Sequence, residues 1–173
     1  MRYLVVVRHA KASPAATGAS DFERELSGRG RRQCDALRAW ADDDSALGAY
    51  GPTTALVSSA RRTRETFRRS FEGTRFVASV SYSDLIYNGQ RHVSAEDLLI
   101  DLAAIDPVTT SLLVVAHNPT VHELVESIAE EVPDVLRHRG YPLGAAFVLA
   151  LRDDEPIGLS RYPLVDEFVP DVE

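Results

Sequence analysis

The chain has little of what would cross-link it, anchor it or bind it to nucleic acid. Of its 173 residues one is cysteine, Cys34, so an intrachain disulfide and a multi-thiolate metal site are excluded. No apolar run approaches the roughly 18 residues that a membrane span needs, so no membrane partner is expected. Nineteen basic residues against 26 acidic ones give a net charge of -7, which is wrong for a general nucleic-acid binder but leaves room for a local basic pocket. The apolar part of Met1–Arg8 is too short for a signal peptide and lacks a small-residue cleavage site. Asn118-Pro119-Thr120 cannot be glycosylated, because proline occupies the middle position. What remains is an ordinary globular composition, 45% hydrophobic and 26% charged. The expectation is one domain over residues 1–173, able to bury roughly 70% of its unfolded surface, in a reducing compartment, the cytoplasm.

Strand and helix patterns alternate, with no internal repeat. Tyr3–Val7 is a continuous apolar, mostly β-branched run of the kind that a strand buried on both faces requires. A loop from about Lys11 to Ser20 follows. Gly28–Asp42 reads as a helix, with Cys34, Leu37 and Trp40 or Ala41 recurring on one face. The Gly51-Pro52 turn leads to a strand over Thr54–Ser58, then a helix over Arg61–Phe71 and a strand over Phe76–Tyr82. Ser94 to Asp97 forms a capping box ahead of a stripe of Leu98, Leu102 and Ile105. Leu112–Ala116 is a further strand, and Pro119 at a first helical position opens a helix carrying Val121, Leu124, Val125 and Ile128. Late strands are expected at Ala145–Leu151 and about Gly158–Tyr162, and the last three residues are expected to fray. Such alternation predicts an α/β three-layer sandwich with a mostly parallel central sheet, any antiparallel strand lying at an edge.

Two apolar strands run into a histidine: Val5-Val6-Val7 into Arg8-His9, and Val114-Val115-Ala116 into His117. Ligands of open α/β sheets bind beyond the carboxyl ends of the strands, so both imidazoles are delivered there. One such histidine is most simply a strand cap; two, one beside an arginine, point to a site. A third strand ends at Ser58 and passes into a helix start rich in arginine, where backbone N–H groups and the helix dipole also favour anions. Most of Arg61, Arg64, Arg68 and Arg69 read as a solvated face, with at least one arginine turned into the crevice. His92, His122 and His138 show no metal-ligand spacing, and no metal or cofactor is expected. His122 and His138 read as surface residues.

Together, Arg8-His9, Ser58-x-x-x-Arg62-x-x-x-Thr66 and His117 resemble the histidine phosphatase superfamily, which contains phosphoglycerate mutases, small-molecule phosphatases and SixA-type protein phosphohistidine phosphatases. Five further segments resemble the SixA-type branch: Arg8-His9-Ala10-Lys11, Asp21-x-x-Arg24-x-Leu26-Ser27-x-x-Gly30, Leu85-Ile86-Tyr87-Asn88, His117-Asn118-Pro119 and Tyr141-Pro142-Leu143-Gly144-Ala145. They lie in the family's order between about residues 3 and 150. The resemblance implies a phosphoglycerate mutase-like fold and makes His9 the phosphoryl acceptor. It makes Arg8, Arg62 and Arg24 ligands of the phosphoryl oxygens and His117 a further donor. The substrate it implies is a phosphorylated protein bearing phosphohistidine, with a small phosphomonoester or sugar phosphate as the rival and a degenerate phosphate-binding module as the rival of another class. Lys11 replaces the glutamate of the mutases, and Ala10 replaces a glycine, so the backbone there must tolerate a Cβ. No clear proton donor is present. Asp84 is the best candidate, and a plain surface carboxylate is as good a reading of it.

Overall fold

In the computed structural model the described residues are 1–43, 47–89, 91–105 and 111–171. Six strands form one sheet: β1 (Arg2–Arg8), β2 (Thr53–Ser58), β3 (Val77–Ser83), β4 (Ser111–Ala116), β5 (Ala146–Leu151) and β6 (Leu164–Phe168). Their spatial order is β3-β2-β4-β1-β5-β6. The first four run parallel, and β5 is antiparallel to both of its neighbours. Five helices flank the sheet: α1 (Gly28–Asp42), α2 (Arg61–Ser70), α3 (Ala95–Ile105), α4 (Thr120–Ile128) and α5 (Asp134–Arg139).

The three layers follow from the period of two along the strands. Val5, Val7, Ala55, Val57, Leu113 and Val115 face one way and pack with Leu37, Ala41, Phe67 and Phe71 of the α1–α2 layer. Leu4, Val6, Leu56, Leu112 and Val114 face the other way, against Leu98, Leu102, Val121, Leu124 and Ile128 of the α3–α4 layer. The all-apolar reading of the β1 and β4 segments thus reflects helices on both faces. Helix starts are fixed locally. Ser27 Oγ accepts from Gly30 N at 3.1 Å, and Ser94 and Asp97 cap each other reciprocally at 3.1 Å. No helix among the described residues is long and apolar enough to cross a membrane. The Cys34 thiol is buried in the core, and that burial pushes its pKa up to about 11.

Two sequence expectations need correction. Gly158–Tyr162 is not a strand: Gly158 sits at φ 92°, and Tyr162 is buried, its hydroxyl accepting from Gly158 N, so the segment is an anchored turn. The last strand begins two residues later, at Leu164. Nor is the antiparallel strand at the edge. The Gly144 N–H reaches the Arg8 and His9 carbonyls and the Ala145 carbonyl accepts from Arg8 N, so the chain enters the sheet at the carboxyl end of β1 and must run backwards as β5, with β6 outside it. Helix α5 gave no sequence signal. Of the three C-terminal residues expected to fray, Asp171 is exposed and in no strand or helix, and Val172 and Glu173 lie outside the described residues.

One packing contact ties the fold to the crevice. A Cβ on Gly30 would overlap the Lys11 carbonyl oxygen, so α1 starts flush against the loop that follows β1. Gly30→Ala is expected to destabilise the protein by about 1–3 kcal/mol, as overpacking against backbone does, read as a lowered urea midpoint.

Candidate active site

The parallel sheet puts the carboxyl ends of β1, β4 and β2 side by side. Arg8 pairs with Ala116 in register, and the next residue, His9, donates its N–H to the Ala116 carbonyl at 3.1 Å. His9 and His117, 108 positions apart in the chain, therefore meet with ring centroids 5.1 Å apart. Ser58, at the end of β2, reaches His117 Nε2 at 2.8 Å. His117 Nδ1 is buried with no protein partner among the described residues, which leaves it to interact with a bound group.

The protonation of His9 is fixed by geometry. Its Nδ1 lies 2.7 Å from the Ala10 carbonyl oxygen, which can only accept, so Nδ1 carries the hydrogen and Nε2 keeps a free lone pair. Close packing desolvates the ring and lowers its pKa to about 3; the Ala10 carbonyl opposes this, and the charges of Arg62, Arg8 and Arg24 add to the lowering. His117 is held well below its ordinary value, by burial first and then by His9 and Arg62, while Asp21 pulls the other way. Both imidazoles are neutral at physiological pH.

The arginines come from three elements. Arg8 Nη1 donates to the Tyr141 carbonyl at 2.5 Å, and its buried Nε has no partner among the described residues. Arg62, in the first turn of α2, is nearly buried; it bonds the Asp21 carbonyl at 2.8 Å and carboxylate at 3.1 Å and stands 5.8 Å over the Tyr87 ring. Arg24 is held by the Ser13 carbonyl and the Asp21 carboxylate. Arg61 pairs instead with Glu25 and Glu65, and Arg69 with Asp35, on the solvent side.

The loop carrying these groups is bolted down. Thr66 Oγ1 accepts from Ala10 N, buried Gln33 from Lys11 N, and Glu65 from Leu26 N at 2.7 Å. Ala10 is fully buried without positive φ, so its Cβ is accommodated. Asp84 is exposed, bonded to the Ser59 hydroxyl, and lines a neighbouring cleft of about 570 Å³ with Leu85, Tyr87 and Arg91. His122 is partly buried and pairs with Glu126, whereas His138 is exposed, as expected.

Two members of the site, Asp21 and Tyr87, were visible only as motif positions without a role. Tyr87 donates to Asp21 at 2.8 Å and sets its ring edge to His117 at 5.6 Å. Tyr141 was likewise only a motif position, and Gln33 carried no signal at all, since their work is done through contacts with chain distant in sequence. Among the described residues, no group of three or more His, Cys, Asp or Glu stands close enough to hold a metal ion.

No protein-family model and no curated protein matches this chain. Solved structures do. SixA from Agrobacterium tumefaciens is 29% identical, covers 98% of this chain and 99% of its own, and superposes with a TM-score of 0.75. SixA from Nakamurella multipartitia is 24% identical, with 99% and 97% coverage and a TM-score of 0.76. The protein histidine phosphatase SixA complexed with tungstate is 19% identical, with 95% coverage both ways and a TM-score of 0.71. With nearly full-length agreement in both directions, the chain has the phosphoglycerate mutase-like fold and is similar to the SixA-type phosphohistidine phosphatase structures.

Proposed function

We propose that this protein hydrolyses phosphohistidine on a protein substrate through a covalent phosphohistidine on His9. The observation that carries the reading is a neutral imidazole, its Nε2 unprotonated, surrounded by three guanidiniums at the carboxyl end of the sheet. Nε2 attacks phosphorus, and the bond from phosphorus to the substrate's imidazole nitrogen breaks. That ring departs with the electron pair, neutral when its other nitrogen carries a proton. Because Nδ1–H stays on the Ala10 carbonyl, the phosphorylated His9 ring is cationic and becomes a good leaving group in turn. Water then attacks phosphorus, the P–N bond breaks, its electrons return to Nε2, and the water proton leaves with phosphate or to solvent. Forked guanidiniums supply the charge stabilisation that other phosphotransfer sites take from metal ions. His117 Nδ1, when Ser58 donates to its Nε2, is an N–H donor for a phosphoryl oxygen.

The acids support this substrate class. Desolvation pushes the Asp21 carboxyl up, but the Tyr87 hydroxyl and Arg24 and Arg62 reverse this and hold it down to about 2, so it has no proton to give near neutrality. Asp84 is exposed and accepts from the Ser59 hydroxyl. An alkoxide leaving group, with a conjugate acid as weak as water at about pKa 15.7, needs a proton donor, whereas imidazole at about 6.5 does not. The expected setting is the cytoplasm, where a phosphorylated protein partner would present the phosphohistidine.

Rapid quenching after mixing with labelled substrate should place an acid-labile, alkali-stable label on His9, and His9→Ala should abolish turnover; a label on serine overturns the assignment. Arg62→Ala should lower kcat/KM by at least about 10²-fold, and Arg61→Ala should change it little.

Asp84→Asn should slow hydrolysis of alkyl phosphates far more than that of a phosphohistidine protein. A wild-type preference for sugar phosphates, lost in Asp84→Asn, would hand the case to the small-molecule rival.

The lowered pKa of His9 also has a sign. Between about pH 6.5 and 3 the unfolded chain holds a proton on this residue that the folded protein does not, so its contribution to stability falls as pH drops through that window, by at most about 1.4 kcal/mol per pH unit. Histidine ¹⁵N spectra should accordingly show the Nδ1–H tautomer of His9 persisting at pH 5. A ring half-protonated near pH 6.5 is the result that contradicts this.

A further inference from the structure

Asp21 opens a 3₁₀ turn, Asp21–Glu23, capped by Ser20, and its carboxylate gathers three side chains of the site. Oδ1 takes Arg24 at 3.0 Å; Oδ2 takes Arg62 at 3.1 Å and the Tyr87 hydroxyl at 2.8 Å. Phe22, the next residue, packs its ring against Tyr87 with centroids 5.0 Å apart. The Arg62 side chain is 7% exposed and that of Asp21 51%, so the carboxylate lies on the solvent side of the guanidinium. Whatever approaches Arg62 from solvent passes a fixed negative charge.

We propose that Asp21 is a specificity-determining residue: it trims the positive charge of the pocket to match one phosphoryl group and turns away phosphate esters whose leaving group bears its own carboxylate. The inference rests on His9 being the phosphoryl acceptor and deepens that reading. Three guanidiniums and one carboxylate leave two positive charges beside two neutral imidazoles, against a phosphoryl group of about -1.5 to -2. A phosphohistidine, whose leaving ring is uncharged, satisfies that balance. A phosphocarboxylate brings a further negative charge to a site with no positive charge left to match it. The cleft beyond Tyr87 does not compensate, because Asp84 lines it and its cation, Arg91, is paired with Asp97 at 3.4 Å. An anion within about 6 Å of Asp21, after solvent screening, is disfavoured on the order of tenfold.

The test uses two esters of similar shape, glycerol 3-phosphate and 3-phosphoglycerate, as competitive inhibitors of p-nitrophenyl phosphate hydrolysis. In the wild-type protein at low salt, glycerol 3-phosphate should inhibit at about a tenfold lower concentration. Asp21→Asn, which keeps the side chain's size and one acceptor oxygen, should bring the two constants within about threefold, and Asp21→Glu should preserve the gap. Raising ionic strength should narrow the wild-type gap, so the proposal is decided even if Asp21→Asn does not fold. Equal constants in the wild-type protein at low salt, or an unchanged ratio in Asp21→Asn, overturns it. Failure of the phosphohistidine reading would appear elsewhere, as a missing His9 label or a preference for monoesters, with the inhibitor ratio still to be read.

Discussion

The His9 backbone N–H bonds the Ala116 carbonyl at 3.1 Å, and the geometry of the site descends from that bond. It exists because β1 and β4 are adjacent and parallel, in a register that pairs Arg8 with Ala116. A slip of one residue would turn Val5, Val6 and Val7 to the wrong layers and separate the two imidazoles. Register is therefore held by the two cores, each of which accepts only alternate side chains of the same strands. The placement of the two imidazoles is a by-product of core packing.

Holding three guanidiniums near two neutral rings is electrostatically costly, and the fold distributes the cost. Arg8 leans on the Tyr141 carbonyl, Arg24 on Ser13 and Asp21, and Arg62 on Asp21. Tyr141 is itself buried and donates to the Val6 carbonyl at 2.6 Å, so the support for Arg8 runs back into the centre of β1. The Tyr87 segment is fastened by Asn88, which donates to Thr120 Oγ1 at 2.6 Å and accepts from Val93 N at 2.7 Å. Arginines fixed in this way would lose little freedom on meeting an anion, which is what the proposed phosphoryl transfer requires.

Part of this was legible because it is local. The apolar runs of β1 and β4 announced strands buried on both faces, Ser27 and Ser94 announced helix starts, and the residues just past the strand ends had to lie at one end of the sheet. The identity of the inward arginine was legible only through motif spacing. On α2, Arg61 and Arg62 are consecutive and chemically equal, and helical geometry sends one to Glu25 and Glu65 and the other to Asp21.

By itself the sequence determined the layer architecture, the strand-end histidines and the supply of arginines, because periodicity and strand polarity are properties of short segments. Only the tertiary structure decided the rest: that β5 runs backwards beside β1, that the late strand starts at Leu164, that His9 keeps its hydrogen on Nδ1, and that Asp21 and Tyr87 join Arg62. The physical reason is separation along the chain. Asp21 meets Arg62 across 41 residues and Tyr87 across 66, and no local pattern encodes a hydrogen bond between residues that only a folded sheet brings together.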